Sequence, residues 1–199
     1  TGVGAVVNSA RVQAGDSVAV LGCGGVGLAV VQGARIAGAK RIIALDRREE
    51  ALLRARRLGA TDTVHVAEDD AAWAQAVAAV KALTGGAGAD HAFEATGVHA
   101  LAFAPLALVR NGGTAVQLSG AHGEHASNVT DFWWDKRYLV PLYGGCQPAR
   151  DLPQLAAWAR DGRLDLDAMI SHRYRLGQLS QALEELRAEA ARLAPRSDA

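Results

Sequence analysis

A chain of 199 residues, half of them hydrophobic, can bury a core of its own and is composed like a globular protein rather than a disordered one. Its 21 basic and 21 acidic residues cancel, so the clustered basic excess of a nucleic-acid binder is missing and no nucleic-acid partner is expected. No apolar run reaches the ~18 to 20 residues that span a bilayer, and no charged-then-apolar leader opens the chain, so no membrane partner is expected either.

The elements alternate. Thr1–Ala10 reads as a short opening helix, and Ala14-Gly15-Asp16 turns the chain into a first strand, Ser17–Leu21. That strand runs into Gly22-Cys23-Gly24-Gly25-Val26-Gly27 and then a helix, Val26–Ala37, stopped by Gly38. A strand that ends in G-x-G-x-x-G and turns into a helix is a place for a diphosphate. Gly22 permits the tight turn, Gly24 lets the backbone approach the phosphates, and Gly27 lets helix and strand pack closely. The helix N-terminus offers unpaired N–H groups and the positive end of its dipole. A second strand, Arg41–Leu45, ends in Asp46, about 20 residues past the glycines, the spacing of an acid that binds a ribose.

Glu49–Leu58 is the next helix, closed by Gly59, and a short third strand lies near Thr63–Val66. Trp73, Val77, Val80 and Leu83 set a helical period over Asp70–Leu83, before the turn Gly85–Gly88. The fourth strand is Ala89–Glu94. A helix near Ala100–Val109, a Gly112-Gly113 turn and a fifth strand, Thr114–Leu118, follow. Residues Ala121–Lys136 read as a loop, and Tyr138–Gly144 as a sixth, edge strand in which Pro141 is tolerated. Leu152–Arg160 and Gln178–Leu193 read as helices flanking a strand at Ala168–His172, and Pro195–Ala199 as a frayed polar tail. Strands separated by helices pair in parallel through right-handed crossovers. The expected fold is therefore α/β, a doubly wound parallel sheet with its ligand crevice at the strand C-termini.

Other residues carry weaker signals. His122-Gly123-Glu124-His125 lacks a third ligand and reads as surface, so no metal site is expected in this chain. Cys23, at a helix N-terminus, is a candidate reactive thiolate, but a packing role suits it better. Asp90 and Glu94 share a strand face and read as structural polar groups. Trp133-Trp134 is balanced between a substrate pocket and a subunit contact. Cys23 and Cys146 form neither a disulfide framework nor a multi-cysteine zinc site, and a reducing cytoplasm fits them. The chain opens on Thr1 rather than Met and reads as a piece of something longer.

The run Val18–Leu28 resembles the cofactor loop of zinc-dependent alcohol dehydrogenases, of the medium-chain dehydrogenase/reductase family. Thr1-Gly2 with Ala5, Leu58-Gly59-Ala60-Thr61, Thr84-Gly85-Gly86 with Gly88-Ala89-Asp90, and Phe93-Glu94-Ala95-Thr96-Gly97 are similar too. So are Gly112-Gly113-Thr114, Tyr143-Gly144-Gly145 and Leu166–His172, and the likeness holds to about Leu186. The resemblance implies a Rossmann NAD-binding domain over residues 1–145, with 146–199 the return segment of a catalytic domain otherwise missing here. It implies that zinc and the catalytic residues belong to that missing N-terminal part, leaving no catalytic residue in this chain.

By the same resemblance, Gly22, Gly24, Gly25, Val26 and Gly27 line the diphosphate, and Asp46 binds the adenosine ribose. Arg47 covers the adenine, Arg48 is a solvated helix start, and Thr96, Leu118, Ser119 and Thr1 border the nicotinamide. Asp46 favours NAD over NADP because a 2′-phosphate would meet its carboxylate. The implied reaction moves hydride between an alcohol or aldehyde and the nicotinamide, with the edge strand 138–143 joining a homodimer. A zinc-free quinone or enoyl reductase using NADPH is the alternative enzyme, and a nucleotide-binding module the alternative without catalysis. Two departures stand out: no final strand with a diphosphate-binding arginine, only Arg192, and Ser119-Gly120 in place of small apolar residues.

Overall fold

A computed structural model describes residues 1–67, 71–120, 124 and 126–193. The chain divides into two compact units, Thr1–Met169 and Ile170–Ala199.

In the first unit, α1 (Gly2–Gly4) runs on as a π-helix, Ala5–Ala10, and stops where Arg11 takes a left-handed conformation. Then come β1 (Ser17–Leu21), α2 (Gly25–Ala37), β2 (Arg41–Asp46), α3 (Glu49–Leu58) and β3 (Asp62–His65). After these follow α4 (Ala72–Leu83), β4 (Ala89–Glu94), α5 (Pro105–Leu108), β5 (Val109–Gln117), β6 (Arg137–Leu139) and α6 (Pro148–Arg160). The six strands form one sheet in the order β3-β2-β1-β4-β5-β6, every pairing parallel. This is the doubly wound arrangement, with the order reversing at β1 and β4.

Both faces are buried, as a parallel sheet requires. Val18, Val20, Ile42, Ala44, Phe93 and Val116 point into one core with Leu28, Val31 and Leu52 from α2 and α3. Their neighbours Ala19, Leu21, Ile43, Leu45, Ala92 and Ala115 point into the other, with Ala76, Val80 and Leu106 from α4 and α5. Alternate residues of each strand thus serve the two cores in turn.

Four expectations fail. The helix near Ala100–Val109 is a 3-10 turn, His99–Leu101, and one turn of α-helix. Gly112-Gly113 does not precede the fifth strand but lies inside it: Ala89 pairs with Val109 and His91 with Thr114, so residues 110–113 bulge from the ladder. A β-carbon on Gly113 would stand 2.8 Å from the Arg110 carbonyl, which explains a glycine there. The sixth strand keeps only Arg137–Leu139, since Leu142–Gly144 is a 3-10 turn with Tyr143 left-handed. The strand at Ala168–His172 is instead a 3-10 turn, Asp167–Met169, because the Asp165 carboxylate accepts the Ala168 N–H at 2.9 Å and nucleates a local turn.

The segment after α6 is held by a buried amide. Gln32 of α2 is fully buried and donates to the Asp165 carbonyl at 3.0 Å while accepting the Asp165 N–H at 2.7 Å. Asn8 donates to Asp151 at 2.9 Å, so α6 is also tied to the opening helix. In the second unit α7 spans Leu179–Leu193, and ahead of it the Tyr174 hydroxyl donates to Glu185. The tail Pro195–Ala199 and His122, Gly123 and His125 of the histidine loop lie outside the described residues.

Candidate functional site

At the C-terminal end of β1 the chain must turn into α2 without fouling β4. Gly22 has φ +91°, and a β-carbon there would stand 2.9 Å from both the nitrogen and the methyl carbon of Thr96. Gly27 is more constrained still, since its β-carbon would lie 1.8 Å from the Gly22 carbonyl oxygen. Gly24 and Gly25 differ in kind. Nothing stands within 4 Å of where their β-carbons would point. Two glycines are required by packing, and two face an open hollow at the head of a helix.

That head is uncapped. Gly24, the residue before α2, is extended and has no side chain to cap with, and the first turn holds no acidic residue. The first N–H groups of a 13-residue helix therefore meet the hollow with the positive end of the dipole. Val26 is 37% exposed at the same spot, a large apolar side chain facing outward where an α/β crevice opens.

The acid at the end of β2 belongs to this hollow. One Asp46 oxygen accepts the Cys23 N–H at 2.7 Å; the other accepts the Arg48 N–H at 2.9 Å and lies 3.4 Å from Arg48 Nε. Asp46 is 9% exposed, and Oδ2, which accepts the Cys23 N–H, keeps a second lone pair. Arg48, expected as a solvated helix start, instead turns back onto this carboxylate. The Arg47 carbonyl meets His65 Nε2 at 2.8 Å, which places Arg47 at the adjoining rim.

Cys23 is fully buried within the loop. Burial, then the Asp46 charge, pushes its thiol up to about 12. The reactive-thiolate reading therefore fails and the packing reading stands: Sγ lies 3.7 Å from the Leu45 carbonyl.

Across the switch point, Glu94 ends β4 fully buried. It accepts the Thr96 N–H at 2.6 Å, the Thr96 hydroxyl at 2.5 Å and the Ser119 hydroxyl. Leu118 donates its N–H to the Glu94 carbonyl at 2.9 Å, and Gln117 Nε2 donates to the Ser119 carbonyl. Thr96, Leu118 and Ser119 are thus brought together at the strand ends beside Gly22. Thr1 lies just ahead of α1, and a β-carbon on Gly2 would stand 2.4 Å from the Val26 carbonyl, so the opening helix lies hard against the first turn of α2. Nearby, burial and then the Glu94 charge push the Tyr138 phenol up to about 12, and its hydroxyl donates to the Ala102 carbonyl at 2.8 Å.

Of the residues named for the cofactor, Gly22, Gly24, Gly25, Val26, Gly27 and Asp46 gather at the head of α2, and Thr96, Leu118 and Ser119 at the ends of β4 and β5; sequence reasoning named neither Gln117 nor the bond from Cys23 to Asp46. Gln117 is polar and buried inside an apolar strand, a pattern that could have marked it. Asp90, grouped with Glu94 by strand alternation, sits at the opposite end of β4, bound to Ser17 and Arg110. Trp133 and Trp134 are exposed, and the Trp134 carbonyl accepts the Gly112 N–H at 2.7 Å, so the pair borders the bulge of β5. Among the described residues no three His, Cys, Asp or Glu side chains gather closely enough to hold a metal ion.

The comparisons agree with this geometry. The zinc-binding dehydrogenase family matches residues 25–161. An S-(hydroxymethyl)glutathione dehydrogenase of Synechocystis is 34% identical over 187 residues, 92% of this chain and 50% of that protein. One from Escherichia coli is 35% identical over the same coverage. An alcohol dehydrogenase zinc-binding domain protein of Burkholderia ambifaria superposes with a TM-score of 0.85 at 33% identity, covering 96% of this chain and 50% of that one. Benzyl alcohol dehydrogenase of Acinetobacter calcoaceticus gives 0.85 at 28%, covering 94% and 51%. The chain spans about half the length of the curated relatives it matches. With its doubly wound sheet and glycine turn, the chain belongs to the zinc-binding dehydrogenase family.

Proposed function

We propose that this chain is the NAD-binding portion of a zinc-dependent alcohol dehydrogenase that moves hydride between an alcohol or aldehyde and a nicotinamide. The carrying observation is the open hollow in front of Gly24 and Gly25, at an uncapped helix terminus, with Asp46 hydrogen-bonded to the same loop. Open space before these glycines lets a diphosphate approach the backbone, and the helix terminus suits its charge.

The Gly25 and Val26 backbones, within the frame set by Gly22 and Gly27, would hold the diphosphate. Asp46, through the spare lone pair of Oδ2, would accept from the adenosine ribose, with Arg47 at the rim for the adenine. Thr96, Leu118, Ser119 and Thr1 would border the nicotinamide. The nicotinamide supplies the hydride chemistry and zinc the polarisation of the alcohol oxygen. This chain's share is to orient one and to exclude water from one side of it. The zinc ligands belong, in this reading, to a further part of the complete protein.

The alcohol class follows the relatives' names, which include a benzyl alcohol and a 2R,3R-butanediol dehydrogenase. Gly22 and Asp46 favour this reading over a zinc-free, NADPH-using reductase. Two free cysteines support a cytoplasmic setting. Titrating the purified chain with NADH and NADPH tests the proposal. NADH should bind the tighter, and the reverse order overturns the NAD assignment.

A further inference from the structure

We infer that Glu94 is a positioning residue for the nicotinamide end of the site, an inference that rests on the NAD reading above. A carboxylate fully out of water must have its lone pairs satisfied, and burying one with no cation among its donors is costly. Among the described residues the donors to Glu94 are two hydroxyls and one backbone N–H, from the two loops that close the crevice. An apolar residue would continue the core of β4, where Ala92 and Phe93 are already buried.

The carboxylate organises the two loops. Thr96 directs its hydroxyl hydrogen to Glu94, and its oxygen accepts the Val98 N–H at 3.0 Å, so the turn after β4 is closed from both sides. Ser119 directs its hydrogen to the other Glu94 oxygen while its carbonyl receives Gln117 Nε2. The Thr96 and Ser119 hydroxyls therefore have no hydrogen left to donate to a ligand. What they present is a fixed backbone and a fixed van der Waals floor. Thr96 also touches the space that Gly22 leaves open, so the same carboxylate braces the turn. Glu94 lies behind these hydroxyls and acts through Thr96 and Ser119.

Glu94→Gln tests this, because the amide keeps the shape but turns one acceptor into a donor facing donors. NADH and ADP-ribose are titrated in parallel, ADP-ribose being the same ligand without its nicotinamide. NADH affinity should fall about tenfold or more and ADP-ribose affinity stay within about twofold, as expected when a hydrogen bond to a charged group is lost at one end of the site only. Ser119→Ala should reproduce the split in milder form, and Ser119→Thr, which keeps the hydroxyl, should restore binding. If E94Q weakens both ligands equally, or neither, the residue is merely structural and the inference is overturned. Binding of ADP-ribose with no tighter binding of NADH by the unmodified chain also overturns it, leaving the NAD site intact. Failure of both ligands to bind the unmodified chain overturns the NAD reading itself, and the role of Glu94 with it. Should E94Q not fold by near-ultraviolet circular dichroism, the Ser119 pair carries the same decision.

Discussion

Gly27 has the least freedom of any residue at the site, because its missing β-carbon would press on a backbone carbonyl that cannot swing away. Gly27→Ala should cost about 1–3 kcal/mol by overpacking and abolish NADH binding, read as a lowered melting midpoint and a flat fluorescence titration. Gly24→Ala should leave the midpoint nearly unchanged and weaken NADH, since its side chain would enter open space. Cys23 yields a separate expectation. With its thiol raised to about 12 it should resist iodoacetamide in the folded chain at pH 8, while the half-buried Cys146 reacts. Mass spectrometry of the labelled protein counts the adducts, and two at comparable rates would contradict the buried loop.

At the scale of elements, β1 and β4 are pinned at their starts by Asp90. Burial raises its carboxyl, but the Ser17 hydroxyl and N–H and the Arg110 guanidinium outweigh that and hold it down at about 2. A folded value below the ordinary one means that the bonds stabilise the fold fully above about pH 4 and stop doing so as pH falls towards 2. Asp90→Asn should therefore flatten the fall of the melting midpoint over that window. Gln32→Ala removes both bonds to Asp165 and should cost about 1–3 kcal/mol, measured by urea unfolding.

The first half of the sheet was legible because its signals are local. Leu21 and Leu45 end apolar runs, and Gly38 and Gly59 end helices, without help from distant residues. The misread elements depend on partners far along the chain. Gly112-Gly113 is a turn dipeptide by composition, yet the Trp134 carbonyl captures its N–H and draws it into a strand. Asp165 decides the conformation of Ala168 only because Gln32 fixes Asp165 first. The site followed the same division. The glycines and Asp46 were visible in their spacing, whereas the bond between Cys23 and Asp46 required two strands to be set side by side.

Over the whole molecule, every buried hydrophobic side chain among the described residues lies between Val3 and Leu164. Ending the chain after Met169 should therefore preserve cooperative unfolding, with the midpoint shifted by less than about 4 °C, the effect of ~1 kcal/mol on a domain of this size. We also propose a homodimer through residues 138–143. β6 is one of the two edge strands, and Val140, Leu142 and Tyr143 beyond it are 65%, 79% and 70% exposed. Sedimentation of the complete protein should give a dimer that Val140→Lys weakens, and a monomeric mass would refute it.

The hydrogen bond between Cys23 and Asp46 bears on any attempt to switch this protein from one redox carrier to the other. The obvious manoeuvre deletes the acid so that a phosphorylated ribose fits. Here the deletion would also let go of the Cys23 N–H whose anchoring shapes the phosphate cradle, so the variant would lose grip on both carriers. Redesign should instead supply a new acceptor for that N–H, such as an asparagine or serine at 46, before any guanidinium is recruited.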